Sequence, residues 1–224
     1  MRFVAPALAR KVLEESRFFT EDAPFTGRLY DGDPRLTLIV GENAAGKSLF
    51  FRVMNAHAKL DHGITGITIS IRERTDSSVP FRRMFMFGDE AEQSTGATSF
   101  KTILSGFNTA NGDQQGKTML MIDEPEMGLS DGYARALGEY LGQQAHKLED
   151  NCHGLVVVTH NRPLAAGLQV GLGAAPTFVC LGSDPVDLAS WQKREEVRTV
   201  DDLFALKDLA LERWRKTNTL MKEK

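Results

Sequence analysis

The sequence predicts an α/β protein with a mostly parallel sheet flanked by helices. Several short apolar runs show no alternation of polar and apolar residues, which is typical of strands buried on both faces. Segments with helical spacing of their apolar residues separate these runs. The chain has 224 residues, of which 42% are hydrophobic, so we expect one domain over residues 1–224 with a core at about 36–182.

The first half of the chain predicts alternating helices and strands. Helical spacing covers residues 7–19, and turns around a short strand follow at 23–34. A buried strand at 35–40 leads into a helix at 48–60. Alternating residues at 63–74 predict an exposed strand. The aromatic and Met content of residues 81–88 predicts a further strand with a half-buried face.

The second half continues this pattern. We predict a short helix at 98–107, a buried strand at 118–125, a long helix at 131–150, and strands at 154–161 and 176–182. An amphipathic helix at about 200–222 closes the chain. We expect its apolar face to cover core, with an exposed partner-binding face as the alternative; that face contains Leu203, Leu206, Ala210, Leu211 and Trp214.

Composition favours a cytoplasmic protein. The net charge of -3 argues against a strongly basic nucleic-acid binder, although a local patch at Arg72, Arg74, Arg82 and Arg83 leaves nucleic acid open as a partner. Cys152 and Cys180 lack the spacing of metal or redox sites, so we expect free thiols in a reducing compartment.

No apolar run approaches the roughly 18 residues that span a bilayer, so we expect no direct membrane insertion. Charges at 10, 11 and 14 interrupt the apolar start too early for a signal peptide.

One short segment has the spacing of a phosphate-binding loop. GENAAGKS at 41–48 matches G-x-x-x-x-G-K-[ST], and it lies between a predicted strand and a predicted helix. In such a loop the backbone N–H groups surround phosphate, the lysine reaches the outer phosphates and the hydroxyl can bind Mg²⁺. The predicted binding residues are Gly41, Glu42, Asn43, Ala44, Ala45, Gly46, Lys47, Ser48 and Leu49.

Two further strand ends carry residues that suit phosphoryl transfer to water. The apolar run before Asp123 places this acid where it can hold Mg²⁺ together with Ser48. Glu124 follows directly, points differently because strand residues alternate, and can polarise water. His160 ends another buried strand, from which it can reach a terminal phosphate on the same side.

Together these motifs resemble the ATP-binding cassette (ABC) ATPase superfamily, over residues about 36–162 and in family order. The resemblance implies a P-loop NTPase fold with ATP and Mg²⁺ as cofactors. It implies that Lys47 and the loop form Walker A, that Asp123 is the Walker B acid, and that Glu124 is the catalytic base. Ser130 and Asp131 match the dimer-contact loop, and His160 matches the switch histidine. Asn43 is similar to its counterpart in soluble, SMC-like cassettes.

The chain departs from the family at its signature motif, which usually reads Leu-Ser-Gly-Gly-Gln. We favour Ser94–Gly96, because a plausible helix follows it, over Leu104–Gly106. A helix N-cap at Ser94 or Thr95 is the structural alternative. The helical subdomain of transporters is reduced here, and Asp89, Glu90 or Gln93 could supply the Q-loop contact. An adenine-stacking aromatic stays open among Phe18, Phe19, Phe25 and Tyr30.

By this resemblance we expect an ATPase that forms an ATP-dependent head-to-tail homodimer and drives or gates an unknown protein partner. DNA repair, phage or anti-phage processes are the settings that the resemblance suggests. The alternative is a slowly hydrolysing, ATP-gated scaffold that holds an effector. A transporter energy subunit is a third reading, and the reduced subdomain counts against it.

Overall fold

The computed structural model describes residues 2–20, 23–70, 95–112, 116–195 and 197–222. In chain order, the strands of this part are β1 (Gly27–Tyr30), β2 (Asp33–Gly41), β3 (Thr65–Ser70), β4 (Thr118–Asp123), β5 (Cys152–Thr159) and β6 (Pro176–Leu181). The helices of the same residues are α1 (Ala5–Glu15), α2 (Lys47–His62), α3 (Thr95–Ala110), α4 (Asp131–Ala145), α5 (Arg162–Leu172), α6 (Leu188–Lys193) and α7 (Val200–Lys222).

All six strands form one sheet in the order β1-β6-β2-β5-β4-β3. Strand β1 pairs antiparallel with β6, and each of the other pairings is parallel. The mostly parallel sheet is therefore confirmed. Strand β3, predicted as exposed, lies at one edge, where it pairs with β4.

Two hydrophobic clusters cover opposite faces of the sheet. Successive residues of a strand point to opposite faces, so Leu38 and Val40 join one cluster while Ile39 between them joins the other. The first cluster packs α3, α4, α5 and α6 against the sheet, and the second packs α1 and α2. The result is a three-layer α/β arrangement whose central strands are buried on both faces.

Some helices differ from the prediction. Helix α3 extends beyond the predicted 98–107, and α5 and α6 were not predicted. The start of α5 does have a sequence signal: the Asn161 side chain accepts a hydrogen bond from the Leu164 backbone N–H, and proline lies in the first turn. The predicted strand at 81–88, the reduced subdomain and the Q-loop candidates Asp89, Glu90 and Gln93 lie outside the described residues.

Helices α4 and α5 pack with their backbones unusually close. Each has two glycines four residues apart, Gly138 and Gly142 on α4, Gly167 and Gly171 on α5. A Cβ on any of the four would overlap backbone atoms of the opposite helix. Glycine is required here by close approach, not by turn geometry.

We expect Gly167→Ala to destabilise the fold and Gly132→Ala to leave it unchanged or slightly stabilised. Alanine favours a helix over glycine by about 1 kcal/mol. At Gly167 the added Cβ would meet the Arg135 carbonyl of α4, and such overpacking costs about 1–3 kcal/mol or more. Gly132, near the start of α4, has open space around it. Urea unfolding of both variants measures the difference; equal stabilities would contradict the close packing.

The C-terminal helix α7 differs most from expectation. We expected its apolar face to cover core, but Leu203, Leu211 and Trp214 are exposed, and Thr217 is its one buried residue among those described. The prediction of a core-covering face is wrong. Leu206, half-buried, belongs to the narrow side that faces the body of the protein. Among the described helices, including this longest one, none combines the length and apolar character needed to cross a membrane.

Candidate functional site

Three motif-bearing strands lie side by side at the centre of the sheet. Strand β5 lies between β2, which enters the glycine-rich loop, and β4, which ends in Asp123. Parallel register pairs Val40 with Thr159 and Asp123 with Val158. The carboxyl ends of all three strands therefore meet at one edge, which is where ligands bind in open α/β sheets.

The glycine-rich loop turns directly from β2 into α2. Gly46 is the N-cap of α2 with φ 92°, and Ala44 also has a positive φ, 61°. The Lys47 ammonium is buried and donates hydrogen bonds to the carbonyls of Gly41 (2.8 Å) and Glu42 (3.1 Å). The lysine side chain thus folds back over the loop, and its charge lies next to the backbone carbonyls at the end of β2.

The other predicted loop residues differ in exposure. Glu42 and Asn43 are exposed at the tip, and Ala45 is buried beneath it. Ser48 and Leu49 are half-buried in the first turn of α2. The helix N-terminus adds a partial positive charge at the same place, which favours an anion.

Two residues outside the predicted phosphate-binding loop hold this loop: Phe25, named above as a stacking candidate, and Arg213, which the sequence did not assign to the site. The ring of Phe25 packs directly on Gly46, where a Cβ would lie 2.6 Å from the ring. The Arg213 guanidinium, on α7, donates a hydrogen bond to the Ala44 carbonyl (2.6 Å) and lies over the Phe25 ring. No sequence signal links Arg213 to a loop 169 residues earlier.

The four aromatic candidates for stacking a base have packing roles, and Phe18 is partly buried against the second hydrophobic cluster. Phe19 and Phe25 are buried and pack against each other, and Phe19 also contacts Phe50. Tyr30 lies on β1, where its hydroxyl donates to the Pro185 carbonyl.

The two acids at the end of β4 are both buried. The backbone N–H of Glu124 donates to the Val158 carbonyl (2.8 Å), which continues the pairing with β5 by one residue. Glu124 has φ 50°; together with Ala44 it is one of the two described non-glycine residues at positive φ. This conformation is strained for a side chain with a Cβ, and such strain is concentrated at functional sites.

His160 and Glu124 make direct contact. His160 Nδ1 lies 3.3 Å from Glu124 Oε1, with the imidazole half-exposed and the carboxylate buried. The hydrogen bond to Glu124 raises the pKa of His160, more than partial burial lowers it. The predicted switch histidine and the predicted base therefore lie within hydrogen-bond distance.

The raised pKa of His160 predicts pH-dependent stability. A histidine that is more basic in the folded state stabilises the fold fully below its unfolded pKa, roughly 6.5, and this contribution is lost as pH rises through the folded pKa. Because the ring is half-exposed, we expect at most about 1 kcal/mol. Urea unfolding should show that the parent has a larger free energy of unfolding than His160→Gln, and that this difference decreases above a pH of about 6.5. A difference that does not change with pH would contradict the contact between His160 and Glu124.

A third buried carboxylate near the end of β4, Glu126, was not assigned to the site by the sequence. Glu126 lies in the turn after β4, and the Thr159 hydroxyl donates to its Oε1 (2.5 Å), while its Oε2 is buried without a partner. Burial raises the pKa of Glu126. The same Thr159 hydroxyl accepts from the Asn161 N–H (2.9 Å), so this buried network holds both neighbours of His160.

The signature candidates are placed differently. Ser94 lies outside the described residues, but Gly96 lies in the first turn of α3, where a Cβ would meet Leu129 at 2.5 Å. Leu104–Gly106 lies within α3, with Gly106 packed against the sheet. That alternative therefore lacks the helix N-terminus that a phosphate contact requires.

The predicted dimer-contact residues lie beside Gly96. Ser130 is the N-cap of α4 and Asp131 its first residue, and both are exposed. Gly96 itself is buried against Leu129, so the start of α3 packs next to the exposed start of α4. The arginines proposed as a basic patch, at 72, 74, 82 and 83, lie outside the described residues.

The residues at the strand ends fit a nucleotide better than a free metal ion. In the described part of the chain, no group of three or more His, Cys, Asp or Glu side chains could hold a metal. Lys47, the loop N–H groups and the α2 N-terminus suit phosphate, and Ser48 with Asp123 would complete a Mg²⁺ shell with phosphate and water oxygens. The donor set thus fits Mg²⁺ bound together with a nucleotide.

Comparison with known proteins shows a weak structural likeness. No protein-family profile matches the chain, and no curated protein matches it. Among solved structures, C. elegans PCH-2 is similar with a TM-score of 0.33 and 17% identity, over 70% of this chain and 34% of that chain. The chain thus spans about a third of the length of PCH-2, and at that TM-score the likeness says nothing further about this protein.

Proposed function

We propose that this chain is an ABC-type ATPase, which binds Mg-ATP at the edge formed by β2, β5 and β4 and hydrolyses it. One observation carries the proposal: Glu124 contacts His160 at the carboxyl ends of adjacent strands, next to the strand that enters the loop of Lys47. Neither a glycine-rich turn alone nor an acidic strand end alone explains why all three lie together.

Each side chain has a distinct task in this reaction. Lys47 holds negative charge on the outer phosphates, and the loop N–H groups orient them. Glu124 accepts a proton from the attacking water, so that the water oxygen becomes more nucleophilic as it approaches the phosphorus atom. His160, held by Glu124, keeps that carboxylate oriented and can donate a hydrogen bond to developing charge.

The cofactors would be held by residues of the glycine-rich loop and by the acid at the end of β4. Residues 41–49 would bind the phosphates, and Ser48 and Asp123 would bind Mg²⁺. When bound, Mg²⁺ neutralises charge on the phosphate oxygens. Burial of Asp123 and Glu124 limits their access to bulk water, which strengthens their electrostatic effect.

We further propose that two copies close head to tail over ATP. The start of α4 supports this, because Ser130 and Asp131 are exposed there and the start of α3 packs beside them through the buried Gly96. A phosphate bound by one copy could be covered by these helix N-termini of the other. The work done on a partner, whether protein or nucleic acid, would follow from closing and opening.

The test combines two measurements. The parent should hydrolyse Mg-ATP, and the Glu124→Gln variant should associate further when Mg-ATP is added, as measured by light scattering after size exclusion. Adding Lys47→Ala to this variant should remove the nucleotide-dependent change. A parent without turnover, but with ATP-dependent association, would favour the slowly hydrolysing scaffold. A parent that neither hydrolyses ATP nor binds it would overturn the proposal.

Ser94→Arg should block ATP-dependent association and leave ATP binding to each chain intact. An arginine at a phosphate-covering serine would fill the space between the two copies. The matched variant is Ser105→Arg, at an exposed position in α3 within the alternative motif, which should associate as the parent does. The opposite pattern would transfer the signature to Leu104–Gly106.

A further inference from the structure

The outward side of α7 carries a stripe of mostly apolar side chains. Residues that recur at alternating steps of four and three lie on one side of a helix. The stripe consists of Val200, Phe204, Lys207, Leu211, Trp214, Asn218 and Met221. Its five apolar members are exposed, from 41% for Leu211 to 73% for Phe204. Scattered apolar residues are ordinary on a surface, but a stripe along 23 residues indicates an interface.

The five apolar members of the stripe face solvent, whereas its polar member Asn218 is half-buried. The residues of α7 that contact the body lie on another side of the helix: Leu206, Arg213, Thr217 and Leu220. Arg213 holds the phosphate loop through Ala44, and the Leu220 carbonyl accepts from Arg17. The helix is therefore anchored by one side while its apolar stripe points into solvent.

The charges that flank the stripe are ordered along the helix. Four exposed residues recur every seven positions on one flank: Asp201, Asp208, Arg215 and Lys222. The first two are acidic and the last two are basic. A second helix laid antiparallel would place its basic half beside the acidic half of the first, with Asp208 facing Arg215 and Asp201 facing Lys222. A parallel arrangement would place like charges together.

The geometry points to a second copy of this chain as the occupant: we propose that two α7 helices pair antiparallel about a two-fold axis. In such an isologous interface each contact occurs twice. The register that matches the charges also matches the stripe. It sets Phe204 opposite Met221, Leu211 opposite Trp214, and the two polar members, Lys207 and Asn218, opposite each other.

This pairing does not depend on nucleotide. The stripe and Arg213, which contacts the phosphate loop, lie on different sides of α7. The helix pair can therefore form without ATP. It is therefore distinct from the head-to-tail closure proposed above, and each can fail without the other. The phosphate loop of each copy would lie next to the interface through Arg213.

The test measures the mass of the full chain without nucleotide, over a dilution series. The parent should dimerise, and Asp208→Arg or Arg215→Asp alone should weaken dimerisation by about tenfold or more, because each places like charges together twice. The double variant D208R/R215D should recover the parent's affinity. An equimolar mixture of the two single variants should form a heterodimer, since their charges are complementary.

Three further variants give the control and the independent check. Glu212→Arg makes the same charge change on α7 away from the stripe, and should dimerise as the parent does. Leu211→Asp should abolish dimerisation, and Lys47→Ala should leave it unchanged. A monomeric parent would overturn the proposal and leave the stripe to a different protein. A parent dimer that ignores Asp208→Arg, or a double variant without recovery, would also overturn it.

Discussion

Replacing Glu124 with glutamine should reduce ATP turnover by about 100-fold or more while ATP affinity changes little. The amide has almost the same shape, but it cannot accept a proton from water, and loss of a general base costs about 10²–10⁴ in rate. Glu124 is buried and contacts His160, so no other carboxylate takes its place in that geometry among the described residues. Phosphate release measured at saturating Mg-ATP gives the rate.

Glu126→Gln is the matched control for this change. Glu126 is also a buried glutamate after β4, but its Oε1 accepts the Thr159 hydroxyl, and a glutamine oxygen can accept the same bond. We expect turnover within several-fold of the parent for this control, an effect clearly smaller than the loss of a general base. If Glu126→Gln lost as much turnover as Glu124→Gln, the assignment of the base to Glu124 alone would be wrong.

Truncating Lys47 to alanine should lower the affinity for ATP by about 100-fold or more, which leaves no ATP binding at ordinary assay concentrations. The ammonium is the buried cation of the loop, and hydrogen bonds to charged groups are worth about 1.5–3 kcal/mol before its Coulomb attraction to phosphate is counted. Titration of a fluorescent ATP analogue, or calorimetry with Mg-ATP, measures the affinity.

The matched control is Lys59→Ala, which truncates an exposed lysine near the other end of α2. Its ATP affinity should equal that of the parent. Because Lys47 also donates to the carbonyls of Gly41 and Glu42, unfolding of both variants should be compared before binding is interpreted. An affinity within a few-fold of the parent in a folded Lys47→Ala would contradict phosphate binding by this loop.

Part of the site was predictable because its determinants are contiguous. Gly41 to Ser48 form their loop from neighbouring residues, so spacing alone predicts the turn from strand into helix. The apolar run before Asp123 and the one before His160 predicted strands that end near each other. The parallel order of the sheet then follows from alternating strands and helices.

Other features were not predictable from local pattern. The half-buried Leu206 and the exposed Trp214 belong to one amphipathic helix, and its sequence does not tell which side meets the body of the protein. Helix α5 was missed, because its apolar residues and its two glycines do not resemble an exposed amphipathic helix. Those glycines matter only when α4 lies against them.

By itself the sequence determined the glycine-rich loop between strand and helix, the strand-end acids and the α/β class, because each depends on spacing within one segment. Only the tertiary structure decided that Glu124 contacts His160, that Glu126 binds Thr159, and that Arg213 reaches Ala44. These contacts join residues that lie 33 to 169 positions apart. Their geometry depends on strand order and helix packing, which are set by burial of the whole core and leave no trace in any single segment.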